Sequence, residues 1–331
     1  MNAFEKHKLN DRNGLDWVHR FGWLRTFELG SLLWRDTHTQ EQSRTRQANR
    51  LARSWVERGL VLERVLPEGA GRALVLANGG VRLLSDYGVE ANTGKDIGKL
   101  IEGKWLPPLT WRHDLLAAGV LIDLYSKGFE VLPEAHIRRR AGKLVKIPDG
   151  LAIKDKTVYW LEVESARKTG KAMRELADAL CVVAKGNAAP ICGHKPTNAL
   201  VAYPADLKDE RGHALSHRTR VRAAVAEAAR SDVLIEWAAC TSRGAAGVGA
   251  IKYERETVQA NRAAAILKRM EWNPSTEEEG ILVASYGKNT ASVWEDADGF
   301  GWGYCINNNA GDRAETQADA KRKCAAALAS L

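Results

Sequence analysis

The sequence predicts a multidomain α/β protein, and three observations carry that expectation. The chain has 331 residues, more than a single domain of roughly 100–200 residues needs. Short apolar runs alternate with helix-period patterns through its middle, as in sheets covered on both faces. Charge is unevenly spread: residues 1–94 carry 14 Lys/Arg against 11 Asp/Glu, residues 95–273 carry 30 against 21, and residues 274–331 carry 5 against 9. The expected division is a helical segment with a short hairpin at 1–94, a linker at 95–108, and an α/β domain at 109–249. A connecting helix at 250–272 and a small β-β-β-α domain at 273–331 complete it.

Composition removes several classes. Hydrophobic residues at 45% and charged residues at 27% exclude a collagen-like or disordered chain. No apolar run reaches membrane-spanning length and the first residues lack a signal-like apolar stretch, so a cytoplasmic protein without membrane contact is expected. Cys181, Cys192, Cys240, Cys305 and Cys324 lie far apart with no CxxC pair, which suits buried thiols rather than disulfides or structural zinc. His213 and His217 stand at i and i+4 but lack the Glu of a metalloprotease motif.

In the first segment, apolar residues recur at helical spacing from Asp16 to Leu33, with Gly30 as the expected break. A second helix opens at Thr39 and ends at Gly59, its apolar stripe being Ala48, Leu51, Ala52, Trp55 and Val56. Two strands around the Pro67–Arg72 turn and a short helix from Asn78 follow. This order resembles a winged helix-turn-helix over residues 15–90. Arg44, Arg46, Arg50 and Arg53 stand in a stretch without acids, and Arg72 lies at the hairpin tip, a pattern suited to DNA phosphates. A solvated basic face is the plainer alternative.

Pro107 and Pro108 close the glycine-punctuated linker. The middle domain reads α-β-β-β-α-β-α-β: a helix from Trp111 to Tyr125, a strand after Phe129, and a basic hairpin tip with Arg138, Arg139, Arg140, Lys143 and Lys146. Strands Ile147–Ile153 and Val158–Glu164 then form a hairpin that sets Asp149 beside Glu162, while alternation puts Glu162 and Glu164 on one face. Converging carboxylates repel unless a cation joins them, so Mg²⁺ or Mn²⁺ is the expected partner. An ion pair with Arg167, Lys168 or Lys171 is the competing explanation, because a carboxylate in an apolar strand needs some partner.

Pro148, Asp149 and Glu162 resemble the PD-(D/E)xK nuclease superfamily, the restriction-endonuclease-like fold, over residues 109–240. The third position carries Glu164 where Lys is usual. The resemblance implies metal ligation by Asp149, Glu162 and Glu164, with a further ligand from the first helix at Asp114 beside His113. It also implies a catalytic lysine supplied by Lys168 or Lys171. Together with the first segment, the Trp111–Tyr125 helix and the Asp149 and Glu162–Glu164 motifs are similar to the replication-relaxation family of plasmid and conjugative-element proteins, over about residues 20–240. That resemblance implies a mobile-element setting. The function expected is thus DNA binding with a Mg²⁺-dependent endonuclease; the alternative is a non-catalytic regulator of replication, transfer or transcription on the same scaffold. The acidic C-terminal domain is expected to make a homodimer or another protein contact.

Overall fold

The structure, a computed structural model, describes residues 2–35, 40–142, 146–166, 168, 170–207, 217–243, 247–267, 269–276, 279–295, 302–307, 309–311 and 313–330. It is mixed α/β with several sheets, and it falls into two compact units. The first comprises Met1–Lys168, Val182–Arg218 and Leu234–Glu256; the second comprises Thr169–Cys181, Thr219–Val233 and Thr257–Leu331. Residues 1–94 therefore share one unit with most of the middle segment instead of standing apart from it.

The first unit begins with α1 (Ala3–Phe21), β1 (Trp23–Arg25), α2 (Thr26–Leu33) and α3 (Glu41–Glu57). It continues with β2 (Val61–Val65), a 3-10 turn at Pro67–Gly69, β3 (Arg72–Leu76) and α4 (Asn78–Asp86). Asn2 and Glu5 form a reciprocal cap that starts α1. The expected break at Gly30 falls instead at Gly22, whose φ of +82° only glycine adopts freely. Gly30 sits inside α2, where a Cβ would lie 3.0 Å from the Arg44 carbonyl oxygen, so its lack of a side chain lets α3 pack closely. Of the predicted stripe on α3, Ala48, Leu51, Ala52 and Trp55 are buried against Leu15, Leu29 and Leu32, while Val56 is exposed. The Trp55 indole donates to Asp11 at 2.7 Å, and Arg58 binds the other oxygen of that carboxylate. Strand β1, which the sequence reading did not separate from a helix, pairs with β3 to make a three-stranded sheet.

The expected linker contains a small hairpin, β4 (Lys99–Ile101) with β5 (Lys104–Leu106). Then come α5 (Trp111–Ser126), β6 (Glu130–Pro133), α6 (Glu134–Arg140), β7 (Gly150–Lys154) and β8 (Thr157–Val163). The chain continues through α7 (Gly170–Ala184), β9 (Asn198–Pro204), α8 (His217–Ala228), β10 (Val233–Arg243) and β11 (Gly247–Val258). The sheet order is β11-β10-β9-β8-β7-β6, antiparallel from β6 to β8 and parallel from β8 to β10.

Two expectations are corrected here. Arg138, Arg139 and Arg140 end a helix, not a hairpin tip: Pro133 precedes the first turn, Ile137 is fully buried, and the other residues are mostly good helix formers. Residues 247–258 are an edge strand, not part of a connecting helix. Lys252, Glu254 and Glu256 have helix-favouring chemistry, but Ile251 and Tyr253 pack on the sheet core with strand periodicity.

Within the first unit the N-terminal elements and the six-stranded sheet share a junction. Trp17 and Tyr125 meet edge to face at 5.1 Å, and Arg20 donates to the Val131 carbonyl at 2.7 Å. Arg139 donates to the carbonyls of His19 and Arg20 at 2.5 and 3.3 Å in the last turn of α1, where the His19 carbonyl also accepts from the Gly22 amide at 3.2 Å. Charged hydrogen bonds to such acceptors contribute about 1–3 kcal/mol. Arg139→Ala is therefore expected to destabilise the first unit by about 1–2 kcal/mol, read as a lower midpoint in urea unfolding, whereas Arg140→Ala, at an exposed position, shifts it little.

The second unit contains α9 (Arg262–Leu267), β12 (Asn273–Pro274), β13 (Ile281–Tyr286), β14 (Asn289–Glu295), β15 (Trp302–Ile306), β16 (Asn309–Ala310) and α10 (Gln317–Ser330). The strands form one sheet in chain order, and Val293, Ile306, Ala320 and Cys324 centre its core. Gly303 permits close packing in this sheet, since a Cβ there would meet the Trp294 ring. Thr39, Lys143, Arg167 and His213 lie outside the described residues. Among the described residues all five cysteines are free, and no helix is long and apolar enough to cross a membrane.

Candidate functional site

Two of the acids predicted from the sequence, Asp149 and Glu162, come together at the start of β7 and the end of β8. Asp149 stands one residue before β7, with its amide donating to the Leu161 carbonyl at 3.0 Å and its carbonyl accepting from the Glu134 amide at 3.2 Å. Gly150 follows because a Cβ there would strike the Leu121 side chain of α5 at 2.8 Å. The Pro-Asp-Gly sequence thus brings α5 down onto the strand that presents the carboxylate. Asp149 accepts from the Val163 amide at 2.7 Å and faces His113 at 3.3 Å. His113 also faces Asp114 at 3.5 Å. Burial disfavours the His113 charge, yet its two carboxylate partners push its pKa up to about 10. Burial likewise acts against the Asp149 charge, but His113 and the Val163 amide hold its carboxyl below the usual range.

Glu162 and Glu164 are both 1% exposed. The Trp160 indole donates to Glu162 at 2.7 Å, and the Lys146 ammonium donates to both Glu162 oxygens at 2.6 Å. Burial and the nearby Asp149 charge raise the Glu162 pKa, while Lys146 opposes them. Glu164 extends the β8 pairing through its amide to the Ala202 carbonyl, and its carboxylate accepts from Lys168. Burial weakens the Lys168 charge, but Glu164 more than offsets this and raises the Lys168 pKa.

The structure therefore brings together Asp149, Glu162, His113 and Lys146, with the Glu164–Lys168 pair next along the strand. Among the described residues no three His, Cys, Asp or Glu groups converge tightly enough to enclose a metal, so the expected set of Asp149, Glu162, Glu164 and Asp114 is not assembled as one cluster. The physical reason is visible in the partners: Asp114 is turned to His113, and Glu164 to Lys168. Asp149 and Glu162 nevertheless fit Mg²⁺, which commonly takes one or two protein carboxylates and completes its shell with water and phosphate oxygens. Burial first, and the Asp149 charge second, raise the Glu162 pKa, and a positive partner such as Lys146 opposes both.

Lys171 belongs to the second unit, where it is largely exposed and faces Glu175 at 3.7 Å. Lys146 is the residue whose role the sequence reading missed. It stands three residues before Asp149, and the signal was its place among the basic residues ahead of the Pro-Asp-Gly turn. His217, the described member of the histidine pair, is buried at the start of α8.

On α3, Arg46, Arg50 and Arg53 are exposed along one flank, and Arg44 is half-buried. Arg72 at the start of β3 pairs with Glu63 at 2.5 Å, and Arg138 pairs with Glu134 within α6. Arg243 from β10 clasps Glu41 at the start of α3. No protein-family model matches the chain, and the comparisons with curated proteins and with solved structures likewise returned no significant match.

Proposed function

We propose that this chain binds DNA through α3 and engages a phosphodiester at Asp149, Glu162 and Lys146, hydrolysing it with Mg²⁺. The carrying observation is the meeting of Asp149, just before β7, with Glu162 on the adjacent strand β8, and a lysine 2.6 Å from Glu162. That combination of two carboxylates and an ammonium is what the PD-(D/E)xK resemblance calls for, with Lys146 supplying the cation that position 164 does not. The order α1-β1-α2-α3-β2-β3 supports reading the N-terminal elements as a winged helix-turn-helix, with the exposed arginines of α3 toward the duplex. The mobile-element setting is part of the same proposal and rests on the likeness of the Trp111–Tyr125 helix and the Asp149 and Glu162–Glu164 motifs to the replication-relaxation family.

Mg²⁺ held by Asp149 and Glu162 would supply Lewis acidity and an acidified water for attack on phosphorus. The chain's own groups do the rest. His113 and the Val163 amide orient Asp149 and keep it ionised. Trp160 fixes the rotamer of Glu162. Lys146, half-buried, carries a positive charge that can transfer from Glu162 to a phosphate oxygen as substrate arrives. Lys168 neutralises Glu164 so that its charge does not repel the backbone of DNA.

One observation favours a second reading, a non-catalytic DNA-binding regulator. Both Glu162 oxygens already accept from Lys146, so Glu162 has a positive partner without a metal ion. Metal-dependent cleavage separates the two readings.

Duplex binding tests what they share. The full chain is expected to bind duplex DNA with a steep salt dependence, and Arg46→Ala with Arg50→Ala to flatten the slope of log K against log salt by about 1 per lost phosphate contact. An unchanged slope removes α3 from the interface.

A further inference from the structure

A cavity of about 400 Å³ opens beside Asp149 in the first unit, within the roughly 300–1,000 Å³ range of small-ligand sites. One wall is the α1–β1 corner, Phe21 to Trp23, and the other is α5 with the start of α6. Its apolar lining includes Ile97, Ala117, Ala118 and Leu121. Its polar lining is mainly acidic: Asp114, Glu134 and Asp149, with His113, Thr110 and Arg138.

We propose that this cavity receives one unstacked nucleotide of the bound DNA, base inward, beside the phosphodiester engaged at Asp149. The inference rests on the DNA reading given above. Three features select a base over other occupants. Phe21, which is half-buried, lines the cavity with Ala117, Ala118 and Leu121, and this apolar lining suits an extruded base, which recovers there part of the stacking it loses. The cations on the lining, His113 and Arg138, already face Asp114, Asp149 and Glu134, so the interior holds no cation turned toward a phosphate and the charged backbone stays outside it. Carboxylates accept hydrogen bonds from exocyclic amino groups, which adenine, cytosine and guanine carry and thymine lacks. The site therefore favours an amino-bearing base. Because the walls come from elements of one compact unit, the accepted nucleotide lies at a fixed offset from the base pairs under α3.

The test uses the full chain with duplexes in which a single 2-aminopurine is stepped along one strand, and a separate end label whose anisotropy reports binding. At one or two adjacent positions the emission is expected to change by at least about twofold on binding, and thymine there to weaken binding relative to adenine. Ala135→Trp narrows the mouth at a half-buried helix position, and Ala117→Leu fills the interior. Either variant is expected to abolish the emission change while the anisotropy affinity moves by less than about threefold, since the contacts of α3 remain. The inference is overturned if DNA binds and no position responds, or if the response persists in both filled variants. Failure to bind any duplex overturns the DNA reading itself, and the inference with it, and is distinguished by the anisotropy signal alone.

Discussion

Lys146→Met is expected to destabilise the first unit by about 2–4 kcal/mol at pH 8, because it leaves the Glu162 carboxylate buried with its main positive partner gone. The loss shrinks as pH falls. Burial and Asp149 raise the Glu162 pKa above its unfolded value, so the folded state binds the extra proton and the penalty of the charged form grows as pH rises through that raised pKa. Without Lys146 the pKa climbs further, and the variant approaches the parent in acid. Adding Glu162→Gln to Lys146→Met is expected to recover much of the stability at pH 8, since the amide keeps the Trp160 hydrogen bond without the charge. Urea unfolding of the four proteins at pH 5 and pH 8 reads the cycle. Equal losses at both pH values would show that Lys146 acts through packing alone.

Asp149→Asn separates ligation from folding. The amide can still accept from the Val163 amide, so the turn before β7 is expected to persist, with a melting temperature lowered by only a few degrees. The hard-cation affinity depends on charge, however, and Mn²⁺ titration calorimetry is expected to show binding to the parent and none to Asp149→Asn. In Lys146→Met the same titration is expected to show tighter binding than in the parent, because the ammonium no longer competes for Glu162. Equal heats in parent and Asp149→Asn would place any Mn²⁺ elsewhere.

Much of this arrangement was legible because it is local. The Pro-Asp-Gly turn, the alternation across Glu162 and Glu164, and the arginine run of α3 are fixed by a few neighbouring residues. What was hidden depends on long-range partners. Strand β1 forms only because β3 offers it a ladder, and three residues after Gly22 carry little periodicity of their own. Charged residues on β11 have helix-favouring chemistry, and only the sheet beside them shows why Ile251 and Tyr253 alternate. The role of Arg139 as a cap on α1 joins residues 119 and 120 positions apart, which no local pattern encodes. Lys146 escaped notice for a related reason: a lysine between a basic helix and a strand reads as surface, until a buried glutamate 16 residues on is seen to need it.

The central claim is that Asp149, Glu162 and Lys146 form a phosphodiester-cleaving site, and incubation of the purified chain with duplex, single-stranded and branched DNA in Mg²⁺ or Mn²⁺ tests it most directly. The account predicts cleavage that stops with a chelator and falls by at least about 100-fold in Asp149→Asn and in Glu162→Gln, with DNA affinity retained. Binding of every substrate without metal-dependent cleavage of any, or cleavage equal in the parent and Asp149→Asn, would contradict the account.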